Sequence, residues 1–245
     1  MKDSLGRLAH ANQLIDDEPP ILHGAPGTIG RLERLCSALT RSLPATGVGL
    51  SLLTMDNYGG GTIAASNAES RVLEELQFSL GEGPCIEAYT SRRPVLEPQL
   101  STHGMRRWPG YAAAAQEQGV KAVFAFPLQI GAARAGALDV YRNETGSLTD
   151  DALAQAVTFA EVAMGLLVDG QDGAQDGQTS SDLDDALAYR LEVYQAQGMV
   201  MVDLGVGIDE AMARLRGHAY AQDRYISDVA RDIVGGKLRL NRDAT

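Results

Sequence analysis

Two groups of residues in this 245-residue chain have types and positions that could do chemistry. The first is a set of cations near its end. Between Met212 and Arg242, Arg214, Arg216, Arg224, Arg231, Lys237, Arg239 and Arg242 outnumber Asp223, Asp228 and Asp232. Such cations neutralise phosphate, and Tyr225 among them offers a ring for base stacking. The bland alternative is that these charges only solvate helix faces. The second group is a thiol and its surroundings. Cys85 follows Pro84 at a loop-to-helix start, where a thiolate is favoured. Cys36 lies on an early helix with nothing in the sequence to bring it to Cys85, so a small buried residue is the better reading of Cys85. Arg106 and Arg107, next to Trp108, could hold an anion, although an exposed basic pair is the commoner case.

Other chemistries lack their residues. His10, His23, His103 and His218 are scattered, with no pair spaced for a helix-borne metal site, so no metal is expected. The two cysteines lack metal-site spacing. No nucleophile elbow, HExxH or phosphate-loop motif is present, and residues 24–30 (GAPGTIG) lack the Gly-Lys-Ser/Thr such a loop needs. Neither an enzyme nor a resident cofactor is expected. A net charge of −11 argues against a general nucleic-acid binder, but the acidity sits in the N-terminal part and around a linker. The start has no apolar signal segment and no run approaches a membrane span, which points to a cytosolic protein with reduced thiols.

The elements that would position these groups can be read from periodicity. Residues 1–25 show little of it and read as an N-terminal arm. Ile29, Leu32, Leu35, Cys36 and Leu39 mark an amphipathic helix ended by Pro44. Residues 47–55 and 62–66 read as strands around a turn at 56–61, and 70–77 as a helix. A Gly-Pro loop enters a short helix at Pro84, and Val95-Leu96 is a short strand. Residues 101–107 read as irregular, and 108–118 as an Ala-rich helix. In the strand 120–130, Ala122, Phe124 and Phe126 share one face, and Val123 and Ala125 the other. A strand at 135–141 and a long helix at 149–168 follow. The polar, Gly-rich residues 170–180 make the clearest boundary. Beyond them, a long helix carries Leu187, Leu191, Tyr194, Gly198 and Met201 at coiled-coil-like spacing, a seam suited to pairing with a second copy. It should stop at Gly205-Val206-Gly207. Two shorter helices follow, with Ala211, Met212, Leu215 and Ala219 inward on one, and Val229, Ala230, Ile233 and Val234 on the other.

Arg190, the triplet Ala196-Gln197-Gly198, Met201, Ala211, Leu215, Ala219 and Val229-Ala230 together resemble the ANTAR module. That resemblance implies a dimer that binds paired RNA stem-loops in a nascent transcript and prevents a terminator from forming. It places Arg190, Gln197 and Gly198 in one region of the long helix as RNA contacts, with Arg214, Arg216, Arg224, Tyr225 and Arg231 adding to them. The family usually has a lysine where this chain has Gln197, which removes one cation that could meet phosphate.

Upstream, the Gly81-Glu82-Gly83-Pro84-Cys85 loop, Pro94-Val95-Leu96, Trp108 and the paired strands from Val120 to Tyr141 resemble a GAF domain. GAF domains are small-molecule sensors and dimerisation modules. The resemblance nominates Glu82, Trp108, Tyr111, Phe124, Phe126 and Tyr141 as lining a ligand pocket, with core the better reading for the phenylalanines. The expected fold is α+β: an arm (1–25), a GAF-like antiparallel sheet with helices (26–169), a linker (170–180) and an all-α three-helix ANTAR-like module (181–240). The function implied is a ligand-responsive transcription antitermination regulator, a cytoplasmic homodimer whose partners are RNA stem-loops and a small-molecule effector. A dimerising sensor without RNA binding is the alternative. A thiol-dependent methionine sulfoxide reductase on the GAF fold is the more remote one.

Overall fold

The computed structural model describes residues 2–19, 27–53, 60–172, 180–222 and 224–241, with side chains described for 5–19, 27–53, 61–170, 191–222 and 224–241. The turn expected at 56–61 falls mostly outside them, as do 173–179 of the expected linker. The chain runs α1 (Lys2–Asp16), α2 (Gly27–Ser42), β1 (Gly47–Leu53), β2 (Gly60–Ala65), α3 (Ala68–Leu80), α4 (Pro84–Ser91) and β3 (Val95–Glu97). A π-helical turn (Leu100–Gly104) and the short α5 (Met105–Arg107) lead into α6 (Pro109–Glu117). Then come β4 (Ala122–Ile130), β5 (Ala133–Arg142), α7 (Asp150–Asp172), α8 (Ser180–Leu204), α9 (Ile208–Ala221) and α10 (Ile226–Val234).

One antiparallel sheet, in the order β2-β1-β5-β4-β3, organises the first two thirds. Side chains alternate across a strand, so the sheet has two faces of different character. On one face Val48, Leu50, Phe124, Phe126, Leu128, Leu138 and Val140 pack under α1, α2 and α7 in the main apolar core. The alternation expected for β4 holds, with Phe124 and Phe126 in this core and Val123 and Ala125 in a second cluster on the other side. Helix α7 starts where Thr149 Oγ1 accepts from the Ala152 amide at 3.2 Å.

Two expectations are corrected. The arm at 1–25 contains a helix: α1 packs its Ala11 and Ile15, both buried, onto the main core. The i, i+4 pair is sparse because Gly6, His10, Asn12 and Gln13 interrupt the pattern, so the helix depends on tertiary burial. Helix α7 is also long and apolar enough to cross a membrane by length and composition, over Asp150–Gly170. Its apolarity has a local reason, since Ala152, Ala156, Phe159, Ala160, Ala163, Met164 and Leu167 are buried in the core.

The last three helices form their own cluster. Val193, Ala196, Val200 and Leu204 of α8 meet Ala211, Met212, Leu215 and Ala219 of α9 and Ile226, Val229, Ala230 and Ile233 of α10. Gly205, at φ 65°, lets the chain turn out of α8. The inward stripe of α8 is not the expected seam. Leu191 is 56% exposed and Gly198 is exposed, whereas Val193, Ala196 and Val200 point inward. The physical reason is that α9 and α10 fold back on α8 from one side and claim the stripe that fits them, leaving Leu191 and Gly198 outside while Met201 is half-buried against the cluster.

Candidate functional site

Helix α3 joins the two halves of the molecule. Asn67 caps its start, accepting from the Ser70 amide at 2.8 Å, and Gly81, at φ 71°, ends it. On one side it sends Glu74 and Gln77 into the sheet. On another it sends Phe78 into the apolar cluster of the C-terminal helices. Arg216 of α9 lies against this junction, with its guanidinium 6.0 Å from the Phe78 ring centre and in the space a Cβ on Gly81 would need.

Below α3, on the second face of the sheet, lies a buried polar cluster. Register places Gly49 and Ala125 on either side of Asp139, so the strand neighbours of this carboxylate are small. Glu74 descends into the space left, and a Cβ on Gly49 would overlap its carboxyl. Ser51 donates to Glu74 Oε2 at 2.5 Å, and Tyr141 donates to Glu74 Oε1 at 2.6 Å. The Gln77 amide donates to Asp139 Oδ2 at 2.5 Å and to the Tyr141 hydroxyl at 3.3 Å. Its carbonyl accepts from the Cys85 amide at 2.8 Å. Gly83 is required here, because its φ of 144° and the close approach of Gln77 both exclude a side chain. Burial first, and then the neighbouring Glu74, push the Asp139 carboxyl well above the usual carboxylate range, against the pull of the Gln77 and Tyr141 hydrogen bonds. Burial, followed by the same acids, pushes the Tyr111 and Tyr141 hydroxyls up.

The residues nominated for a ligand pocket divide. Trp108, Tyr111 and Tyr141 are buried on the face that carries this cluster. Phe124 and Phe126 are not; they lie in the main core under α1, α2 and α7, because their strand phase is opposite to that of Asp139 and Tyr141. Glu82 is tied down: its Oε1 accepts from the Gly110 and Tyr111 amides at 2.7 and 3.0 Å and so caps α6. Glu74, Gln77, Asp139 and Ser51 were missed. An acid inside the apolar strand sequence ALDVY was the one available signal. Arg107 pairs with Glu87 and Glu97 and lies 4.3 Å over the Trp108 ring, so its charge is already answered. Cys36 belongs to the main core and Cys85 to a small cluster with Leu53, Tyr89 and Ala137; neither is in a disulfide.

The nominated RNA contacts also divide. Gln197 is corrected: it is buried, and its Nε2 donates to the Ile208 carbonyl at 2.9 Å, tying α8 to the start of α9. A polar side chain on the inward face of α8 thus donates to a backbone carbonyl of the neighbouring helix instead of meeting solvent. The Arg190 side chain lies outside the described residues. Gly198 is exposed, in a shallow groove with Gln195, Met199, Val202, Val234 and Arg239. Arg214 pairs with Glu210 at 3.3 Å, Arg224 with Asp232 at 2.7 Å, and Arg231 with Asp228 at 2.9 Å and Glu192 at 3.5 Å. Arg216, Tyr220, Arg224 and Tyr225 form one wall of a groove of about 950 Å³, whose other wall is α3 and α6.

A GAF domain family model matches residues 31–167, more than half of the chain. The chain belongs to the GAF domain family. An ANTAR domain model matches residues 181–234, so the GAF domain is followed by an ANTAR domain. No curated protein matches the chain in sequence. Among solved structures, the GAF domain of a phosphoenolpyruvate-protein phosphotransferase from Coxiella burnetii is 17% identical, with a TM-score of 0.53 over 70% of this chain and 96% of that one. The corresponding domain from Acinetobacter is 15% identical, with a TM-score of 0.51 over 70% and 97%. At these identities the likeness is one of fold. A type II free methionine-R-sulfoxide reductase from Thermoplasma acidophilum is 14% identical, with a TM-score of 0.43 over 58% of this chain and 93% of that one.

Proposed function

We propose that this protein is a cytoplasmic transcription antitermination regulator in which the GAF domain governs access to an RNA-binding ANTAR domain. The observation that carries the reading is the groove between the domains. Arg216, Arg224 and Tyr225, three of the residues that could meet RNA, line it opposite α3 and α6 of the GAF domain. A ligand-driven shift of α3 would therefore act on the RNA-binding face directly, since α3 also carries Glu74 and Gln77 into the buried polar cluster. Binding would proceed by exchange of partners. The pairs Arg214–Glu210, Arg224–Asp232 and Arg231–Asp228 lie at the surface, where an ion pair adds little to stability, so phosphate can replace the carboxylates at little cost. Dimerisation would use the outward stripe of α8, where Leu191, Met199 and Val202 are exposed, Val202 at 82%.

The experiment is binding of the purified chain to an RNA with two adjacent stem-loops across a salt series, with a single stem-loop and a duplex DNA as controls. Selective binding to the paired stem-loops is expected, weakened by salt and by Arg231→Ala. Phe78→Ala, which loosens the ANTAR domain from α3, is expected to raise affinity for that RNA. Equal affinity for all three nucleic acids at low salt, in both the parent chain and Phe78→Ala, would overturn the proposal in favour of a dimerising sensor without RNA.

A further inference from the structure

The buried polar cluster is not electrically complete. Glu74 is satisfied as an anion, because one carboxylate oxygen accepts from Ser51 and the other from Tyr141. Asp139 is different. Its Oδ2 accepts from Gln77, while its Oδ1 is fully buried and has no hydrogen-bond partner. If Asp139 is neutral with its proton on Oδ1, opposite the oxygen that accepts from Gln77 and lies 3.3 Å from the Tyr141 hydroxyl, that proton has no acceptor. If Asp139 is ionised, an unpaired carboxylate lies beside a second one. Among the described residues no Lys, Arg or His is paired with Asp139. Either state leaves a buried polar group costly in the absence of another partner. The Tyr111 hydroxyl adds an independent sign. It is fully buried beside Tyr141, feels Asp139, Glu74 and Cys85, and makes no hydrogen bond of good geometry.

We propose that Glu74, Cys85 and Asp139 bind a borderline-soft divalent transition-metal ion of the zinc class. One donor atom from each residue lies within 4.8 Å of the other two. In a tetrahedral site with bonds of about 2.0–2.3 Å, donors stand roughly 3.3–3.8 Å apart, so the cluster needs to contract by no more than about 1.5 Å around the ion. A thiolate with two carboxylate oxygens selects against magnesium and calcium, which take oxygen donors alone. Asp139 Oδ1 supplies the lone pair that has no partner. Glu74 keeps its Ser51 and Tyr141 hydrogen bonds as outer support, and Gln77 does the same for Asp139. The Tyr111 and Tyr141 hydroxyls are buried beside the same carboxylates. Binding releases the Cys85 thiol proton, together with any proton held by Asp139. The site stands whether or not the ANTAR domain binds RNA. Because Glu74 and Phe78 share α3, an ion that draws Glu74 inward acts on the helix that seats the ANTAR domain.

The test is titration of the reduced, metal-stripped full chain with Co²⁺, followed by displacement with Zn²⁺. One equivalent of Co²⁺ with a near-ultraviolet sulfur-to-cobalt charge-transfer band is expected, absent in Cys85→Ser and retained in Cys36→Ser. Asp139→Asn is expected to weaken Co²⁺ binding by at least the 10–100-fold that an outer-shell change costs, on the order of magnitude known for such sites. Circular dichroism reports whether each variant folds. A second reading needs no variant: Zn²⁺, but not Mg²⁺, should raise the melting temperature of the parent chain. No charge-transfer band together with no Zn²⁺-dependent rise would overturn the site, as would a band that survives Cys85→Ser in a folded protein.

Discussion

The two faces of the GAF sheet are built from the same strands and do opposite things. On one, Leu50, Phe124, Phe126, Leu138 and Val140 are apolar and closed under three helices. On the other, Gly49, Ser51, Ala125, Asp139 and Tyr141 make room for Glu74 and Gln77 and hold them by hydrogen bonds. The first face gains stability from area removed from water. The second gives some of that up to keep carboxylates, hydroxyls and a thiol within reach of one another. Within one sheet, alternation of side chains separates what holds the fold from what keeps a polar cluster assembled.

That contrast can be broken by substitution. The largest effect is expected for Phe124→Ala, which empties a fully buried site in the main core and should cost about 3–5 kcal/mol in denaturant unfolding. Phe78→Ala should come next, at about 2–4 kcal/mol, and it should separate unfolding of the ANTAR domain from that of the GAF domain. On the polar face, Gly49→Ala puts a methyl group into the Glu74 carboxyl and should cost about 1–3 kcal/mol through overpacking. If Phe124→Ala and Gly49→Ala cost the same, the two faces are not different in kind.

Asp139→Asn sharpens the comparison through pH, measured with chelator present. Burial and Glu74 raise the Asp139 carboxyl above its unfolded value, so the folded chain keeps a proton that the unfolded chain releases. Stability from this group is fully present below the unfolded value of about 3.9 and is lost as pH rises through the folded one. The parent chain should therefore lose more stability than Asp139→Asn as pH is raised above about 4. Equal pH slopes in melting experiments would remove Asp139 as the cause. The smallest effect is expected on the surface: Arg214→Ala breaks the exposed pair with Glu210 and should cost about 0.5 kcal/mol or less.

Much of the fold was legible because its signals are local. The strand phase of Ala122, Phe124 and Phe126, the Pro84 helix start, the Gly205-Val206-Gly207 stop and the inward sides of α9 and α10 all follow from period and turn chemistry. The functional residues were less legible. Glu82 carries the loop that resembles the family, yet it caps α6. Gln197 stands where a lysine is usual, yet it is buried against α9. The histidine spacing used to discount a metal says nothing of Glu74, Cys85 and Asp139, which come from three different elements.

The sequence by itself determined the elements, their order and the two families they resemble, because period, caps and turn residues act within a few positions of one another. Only the tertiary structure decided which face of α8 turns inward, that α3 serves both domains, and that two carboxylates and a thiol separated by up to 65 positions share one buried space. Those outcomes depend on strand register and on helices competing for the same apolar surface. Such competition is settled by the whole chain at once, and no local window of residues contains it.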